Sequence, residues 1–170
     1  MFFEGKMTKN PQVILKGRYQ VVPRTLILVF NGNSVLLQKG APTKKIYPGY
    51  YNGLGGHIER GEDVLSAARR ELMEEAGLEC PDLHLCGTVA IDVEENNGIL
   101  LFVMTGQKTI GEINESDEGS LHWVGINELK STPTVEDIPE IVDRIIKGDG
   151  SIFHAHYAYD GNGNRITTLG

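Results

Sequence analysis

The apolar positions of this chain fall into short runs separated by polar, glycine-rich breaks. Residues 25–30 (TLILVF) and 34–38 (SVLLQ) flank Asn31-Gly32-Asn33, the signal of a β-hairpin. Residues 39–50 (KGAPTKKIYPGY) lose that pattern and, with three lysines and two prolines, predict a loop. Residues 53–59 predict a glycine-rich extended piece. From 63 to 76 the period changes to helical: Val64, Leu65, Ala68, Leu72 and Ala76 share one face, and Gly77 stands where a C-cap glycine belongs. Residues 83–93 and 98–105 predict two strands joined by the polar turn Glu94-Glu95-Asn96-Asn97-Gly98, and Leu121 to Val124 predicts another. A second helix is predicted over 134–147, with Ile138, Ile141, Ile145 and Ile146 on its apolar face. Pro139 fits the first turn of a helix starting near Glu136. Residues 152–159 (IFHAHYAY) predict a final strand, followed by a turn at Asp160-Gly161-Asn162-Gly163. Strands on both sides of helices predict an α/β protein, a mixed β-sheet sandwiched between helices. No repeat or linker divides the sequence, so one domain is expected over residues 1–170.

Bulk composition narrows the function. Hydrophobic content of 40% and charged content of 23% are ordinary for a soluble globular protein. A net charge of −7 argues against a general nucleic-acid-binding surface, although metal ions would let an acidic protein bind polyphosphates. Cys80 and Cys86 form no CxxC or zinc pattern, and reduced, partly buried thiols in a cytosolic protein are expected. The start, MFFEGKMTKNPQ, lacks the apolar core of a signal peptide. The longest apolar runs, such as Leu26 to Phe30 and Ile99 to Met104, are too short to span a bilayer. The expectation is a cytoplasmic protein with neither a membrane nor a nucleic-acid polymer as partner.

The chemistry concentrates between Gly56 and Leu78, GHIERGEDVLSAARRELMEEAGL. Positions i, i+3 and i+4 of a helix share a face, so Glu71, Glu74 and Glu75 cluster. Three like charges destabilise a bare helix, and they make sense as a hard-oxygen site for Mg²⁺ or Mn²⁺. A solvated acidic face is the blander alternative. Arg70 would fix a glutamate's orientation or contact phosphate, and Glu62 in the preceding loop would pair with Arg70. The glycines at 53, 55, 56 and 61 allow close backbone approach to a ligand, and a backbone carbonyl there would complete a coordination shell.

The spacing favours the metal. Gly56, five residues, Glu62, seven residues, then Arg70-Glu71-Leu72-Met73-Glu74-Glu75-Ala76-Gly77-Leu78 resembles the Nudix box, G-x5-E-x7-R-E-U-x-E-E-x-G-U, at every position. The resemblance implies the Nudix fold, an α/β/α sandwich, and metal-dependent hydrolysis of a nucleoside diphosphate linked to another moiety. It implies that Glu71, Glu74 and Glu75 bind metal, Mg²⁺ with Mn²⁺ as the alternative, and that Gly56 offers its carbonyl. Arg70 would orient a glutamate and Glu62 would support the loop. The family varies in which glutamate deprotonates the water; Glu71 is the expectation here. Family members often recruit a later carboxylate, and Glu115-Ser116-Asp117-Glu118-Gly119, just before Trp123, offers Glu118.

The stretch Tyr51-Asn52-Gly53-Leu54-Gly55-Gly56-His57 is similar to the W-N-G-F-G-G-K of MutT-type enzymes, which cleanse oxidised purine nucleoside triphosphates. Tyr stands for Trp and His for Lys. That likeness implies a base read by Asn52, with Glu136 and Asp137 near the place of that group's base-reading acids. Tyr47, Tyr50 and Tyr51 are candidate aromatic platforms for the base, with core packing or surface exposure as the alternative, and Lys39, Lys44 and Lys45 are candidates for the phosphate tail, with a solvated loop as theirs. Alternatives are cleavage of ADP-ribose or a dinucleoside polyphosphate, or a nucleotide-sensing domain without catalysis, which the intact set of box carboxylates disfavours. Monomer and homodimer are both compatible with the sequence. His154 and His156 share a strand face but lack a third ligand nearby, and 160–164 echoes a calcium loop without its sixth-position glycine; both are read as ordinary structure.

Overall fold

The computed structural model describes residues 15–43, 45–114 and 119–170. Strand β1 (Gln20–Asn31) turns at Gly32 into β2 (Ser34–Gly40), as the apolar runs predict. They pair antiparallel only at Phe30–Val35 and Asn31–Ser34, and then diverge. The wedge between them is filled by the glycine-rich segment. Its short β3 (Tyr51–Asn52) pairs with Lys39 and Gln38 of β2, while Leu54 bridges Ile27 and His57 bridges Arg24 of β1.

The remaining elements are α1 (Val64–Ala76), β4 (His84–Glu94), β5 (Asn97–Gly106), β6 (Gly119–Gly125), a single 3₁₀ turn at Ile126–Glu128, α2 (Ile138–Lys147), β7 (Phe153–Tyr159) and β8 (Arg165–Leu169). The sheet order is β3-β2-β1-β5-β4-β7-β8, with β6 on the other edge of β2. β1–β5 and β4–β7 are parallel and the other pairs antiparallel, so the sheet is mixed, as expected.

β1 explains the layering. Residues 25–30 are all buried, the mark of a strand covered on both faces. Leu26, Leu28 and Phe30 join Ile138, Ile141 and Val142 of α2 in one core; Ile27 and Val29 join Ala68, Leu72 and Ala76 of α1 in the other. Two-residue alternation thus sends one strand's side chains to two helices, which is the α/β/α sandwich. No helix among the described residues is long and apolar enough to cross a membrane.

Three expectations change. β1 begins at Gln20, earlier than the apolar run, because its start lies parallel to β5. α2 begins at Ile138 rather than near Glu136: Val135 N–H donates to the Tyr51 carbonyl, which keeps the preceding residues extended along β3. β8 was not expected. It is an exposed edge strand with only Ile166 and Leu169 as apolar residues, too sparse to stand out from a tail.

Candidate active site

Asp63 starts α1: its Oδ1 accepts from the N–H groups of Leu65 (2.9 Å) and Ser66 (3.0 Å). Gly77 ends it at φ 68°, with its N–H donating to the Met73 carbonyl. The helix is thus fixed at both ends, and its apolar face is packed on the sheet. The acidic residues occupy what is left.

Arg70 organises them. Its Nε and Nη2 donate to the two oxygens of Glu62 (2.7 and 3.0 Å). Its Nη1 reaches Glu71 Oε1 (2.9 Å) and Glu74 Oε2 (3.0 Å), and Nη2 also reaches the His57 carbonyl (3.1 Å). Every N–H of the guanidinium is used, a geometry that lysine cannot copy. The bonds from Arg70, helped by the Glu59 amide, hold the Glu62 carboxyl below its usual range, and the three carboxylates raise the arginine in turn. Glu71 is the most enclosed of these acids, with 14% of its side chain exposed against 60% for Glu74.

The glycine-rich segment meets the helix at two points. Glu75 Oε2 accepts from the Gly55 N–H at 2.8 Å. Gly55 has φ +124°, and a Cβ there would lie 2.3 Å from the Thr25 carbonyl oxygen, so only glycine fits. At Gly56 a Cβ would come within 2.6 Å of Glu71 Oε1: the missing side chain is the space that the carboxylate occupies. The Gly56 carbonyl accepts from Thr25 N–H at 2.8 Å, which leaves its second lone pair for a ligand.

Two adjoining cavities open beside this segment and share Arg24, Ile46, Tyr47, Asn52, Gly53 and Gly55 as walls. One, about 340 Å³, is lined by Asn52, Glu136 and Asp137, with Tyr157, Tyr159 and Arg165 behind them. The other, about 430 Å³, reaches Glu75 and carries Lys45 and Tyr50. Burial pushes the Asp137 carboxyl above its ordinary value, against the pull of Arg165.

The residues named from the sequence therefore divide. Glu62, Arg70, Glu71, Glu74, Glu75 and Gly56 come together at α1. Asn52, Glu136 and Asp137, distant in sequence, share one cavity. Lys39 and Tyr51 line neither cavity; the Tyr51 ring sits edge-on to His122 at 5.5 Å, with Lys39 Nζ 5.6 Å from its centre. Lys44 and Glu118 lie outside the described residues. His154 pairs with Thr88 at 2.8 Å and His156 with Asp92 at 3.0 Å. Arg24, Tyr157, Tyr159 and Arg165 were missed, since scattered residues in polar or apolar stretches carry no spacing signal.

The donor set suits a hard divalent ion: oxygen only, from neighbouring positions of one helix, facing a glycine. Among the described residues no three acidic, histidine or cysteine side chains form a ready-made metal cage. Glu71 and Glu74 turn to Arg70, and Glu75 to the Gly55 amide.

Residues 21–145 match the NUDIX domain family. An oxidized purine nucleoside triphosphate hydrolase from Danio rerio is 35% identical over 106 residues, 62% of this chain and 67% of that protein. The fold is shared with a MutT protein from Bacillus halodurans (TM-score 0.76, 22% identity, 88% of this chain and 97% of that one). It is shared also with the NUDIX domain of Shewanella oneidensis NrtR in complex with ADP ribose (TM-score 0.67, 14% identity, 79% and 92%). The family match runs from the start of β1 into α2, so the acid-rich helix sits within the whole frame that its motif implies, and the chain belongs to the Nudix hydrolases.

Proposed function

We propose that this Nudix hydrolase cleaves a nucleoside triphosphate, oxidised purines such as 8-oxo-dGTP included, to the monophosphate and pyrophosphate. The observation that carries the reading is the gathering of Asn52, Glu136 and Asp137 in one cavity, joined through Gly53 and Gly55 to a second that reaches Glu75. A base in the first cavity would extend its phosphates along the glycines toward α1. The Danio rerio relative bears the name of that activity.

In this reading Glu71, Glu74 and Glu75 hold Mg²⁺, with the Gly56 carbonyl and Glu118 as further ligands. An ion held there would supply positive charge to offset that of the pyrophosphate oxygens. Glu71 takes the proton of the attacking water, a role suited to a carboxylate with only 14% of its side chain exposed. Arg70 holds Glu71 and Glu74 in register, and Glu62 anchors Arg70. Asn52 Oδ1 accepts from Gly53 N–H at 2.8 Å, which directs its amide N–H groups to an acceptor on the base. Glu136 and Asp137 face the base's donor edge. Cys80 and Cys86, both free, support a cytoplasmic setting.

A screen of nucleotides with Mg²⁺ and Mn²⁺, read by product identity, tests this. Pyrophosphate and a nucleoside monophosphate are expected, and none in EDTA. Cleavage of ADP-ribose or a dinucleoside polyphosphate with no triphosphate turned over overturns the substrate and keeps the chemistry. Tight nucleotide binding without turnover makes the chain a sensor.

A further inference from the structure

The rear wall of the first cavity comes from outside the family-matched span: Tyr157 and Tyr159 on β7, and Arg165 on β8. Arg165 is tightly held there, with 11% of its side chain exposed. Its Nη2 donates to Glu140 Oε2 at 3.0 Å, its Nε lies 3.7 Å from Glu136 Oε1, and its guanidinium carbon stands 4.6 Å from the centre of the Tyr157 ring. Glu136 and Glu140 flank Asp137 at the start of α2. An arginine serving only to tie β8 to α2 has no need to line the cavity, and this one does.

We propose that Arg165 is a specificity-determining positioning residue, fixing the Glu136–Asp137 pair so that the nucleobase is held in one register. The inference rests on the nucleotide-cleaving reading above. Its physics is local. Asp137 is faced by Glu136 just before it, by Glu140 from α2, by Tyr157 and Tyr159 from β7 and by Arg165 from β8. Burial, Glu136 and Glu140 favour the protonated carboxyl, and Arg165 opposes them. Without Arg165, Glu140 keeps Arg144 (3.1 Å) as its ion-pair partner among the described residues, and Glu136 loses the cation beside it. Glu136 is then freer to move, and Asp137 stays protonated to higher pH. The cation also covers the Tyr157 ring face, so its loss loosens the wall.

The test is R165Q, with R165K and E140Q, in steady-state kinetics on a nucleotide that the unaltered protein cleaves and on the analogue with a different base. R165Q is expected to raise KM for the preferred base about tenfold, with kcat within about twofold, and to narrow discrimination between the bases. The pH midpoint of KM should move upward, whichever form of Asp137 binds better. R165K should restore the midpoint while leaving KM partly raised, because charge returns without the planar fork. E140Q keeps Arg165 but removes the charge of its anchor, and should raise KM in the same direction by less; with R165K it carries the test if R165Q fails to fold. An unchanged KM, a loss confined to kcat, or an equal loss on both bases with an unmoved midpoint overturns the inference. An unaltered protein that cleaves no nucleotide overturns the proposed reaction and this inference together, whereas turnover indifferent to all three substitutions overturns this inference alone.

Discussion

Asp63 stands before α1 and Asp137 before α2, one residue type at one helical position. Asp63 gives both carboxylate oxygens to its own helix: Oδ1 accepts the Leu65 and Ser66 amides, and Oδ2 the Ser66 hydroxyl. Those bonds hold its carboxyl below the usual range. Asp137 makes no side-chain cap, lines the cavity and is shifted the other way by burial. The cause lies in what each helix needs. At α2 the Ile138 N–H is already satisfied by the Val135 carbonyl, and Pro139 has no N–H to satisfy. With the first of these amides satisfied and the second absent, Asp137 lines the cavity instead of capping its helix.

In the proposed reaction the same division separates chemistry on α1 from recognition at the start of α2, and substitutions can break it. The largest effect should come from Glu75→Gln, with Glu74→Gln beside it: a fall in kcat on the order of 10² or more at saturating Mg²⁺. A rate near that of the unaltered protein would refute their role. Asp137→Asn should act on the other parameter, raising KM by about tenfold with kcat little changed, since one hydrogen-bonding partner of the base is altered. If Asp137→Asn lowers kcat as deeply as Glu75→Gln, the two regions do not divide the work.

These two regions were not equally legible. The acidic cluster of α1 and its pairing with Arg70 could be read from the chain, because those residues follow a dense motif, whereas the Asp63 cap and the Glu75–Gly55 bond could not. Asn52 and the acids at 136–137 could be named only by likeness. What makes them one site is that 51–57 fills the gap between β1 and β2 and that Tyr51 bridges Thr134, pairings that no local pattern announces. Arg165 was invisible for a further reason: it lies on an exposed edge strand whose apolar content is too low to predict. Tyr51 and Lys39, candidates from the same stretches, stand apart from both cavities, where the ladder with β2 brings them to each other and to His122.

Stability against pH sharpens the contrast, with opposite signs at the two aspartates. A raised carboxyl pKa means that the folded chain binds more protons than the unfolded one just above the ordinary carboxylate range. Asp137 therefore costs stability as pH rises through that range to its raised value, and the cost persists above it. Asp137→Asn should flatten this dependence and raise Tm at neutral pH. Asp63, held below its ordinary value, contributes stability above that value and loses it as pH falls through the lowered one.

Asp63→Ala is accordingly the smallest effect and the cleanest control. It removes acceptors from the first turn of α1, yet touches neither cavity nor any bond of Arg70. Losing a helix cap of this kind should lower Tm by roughly 2–4 °C at pH 7 in a chain of this size. The deficit should shrink in acid, where the native carboxyl is itself protonated and keeps only its neutral acceptor oxygen. KM should stay where it is. Differential scanning calorimetry across pH, with KM measured on the same preparations, checks both halves. A KM that rises with the fall in Tm would mean that the cap steadies the glutamates through the helix itself, and that α1 serves its site as a whole element rather than through Arg70 alone.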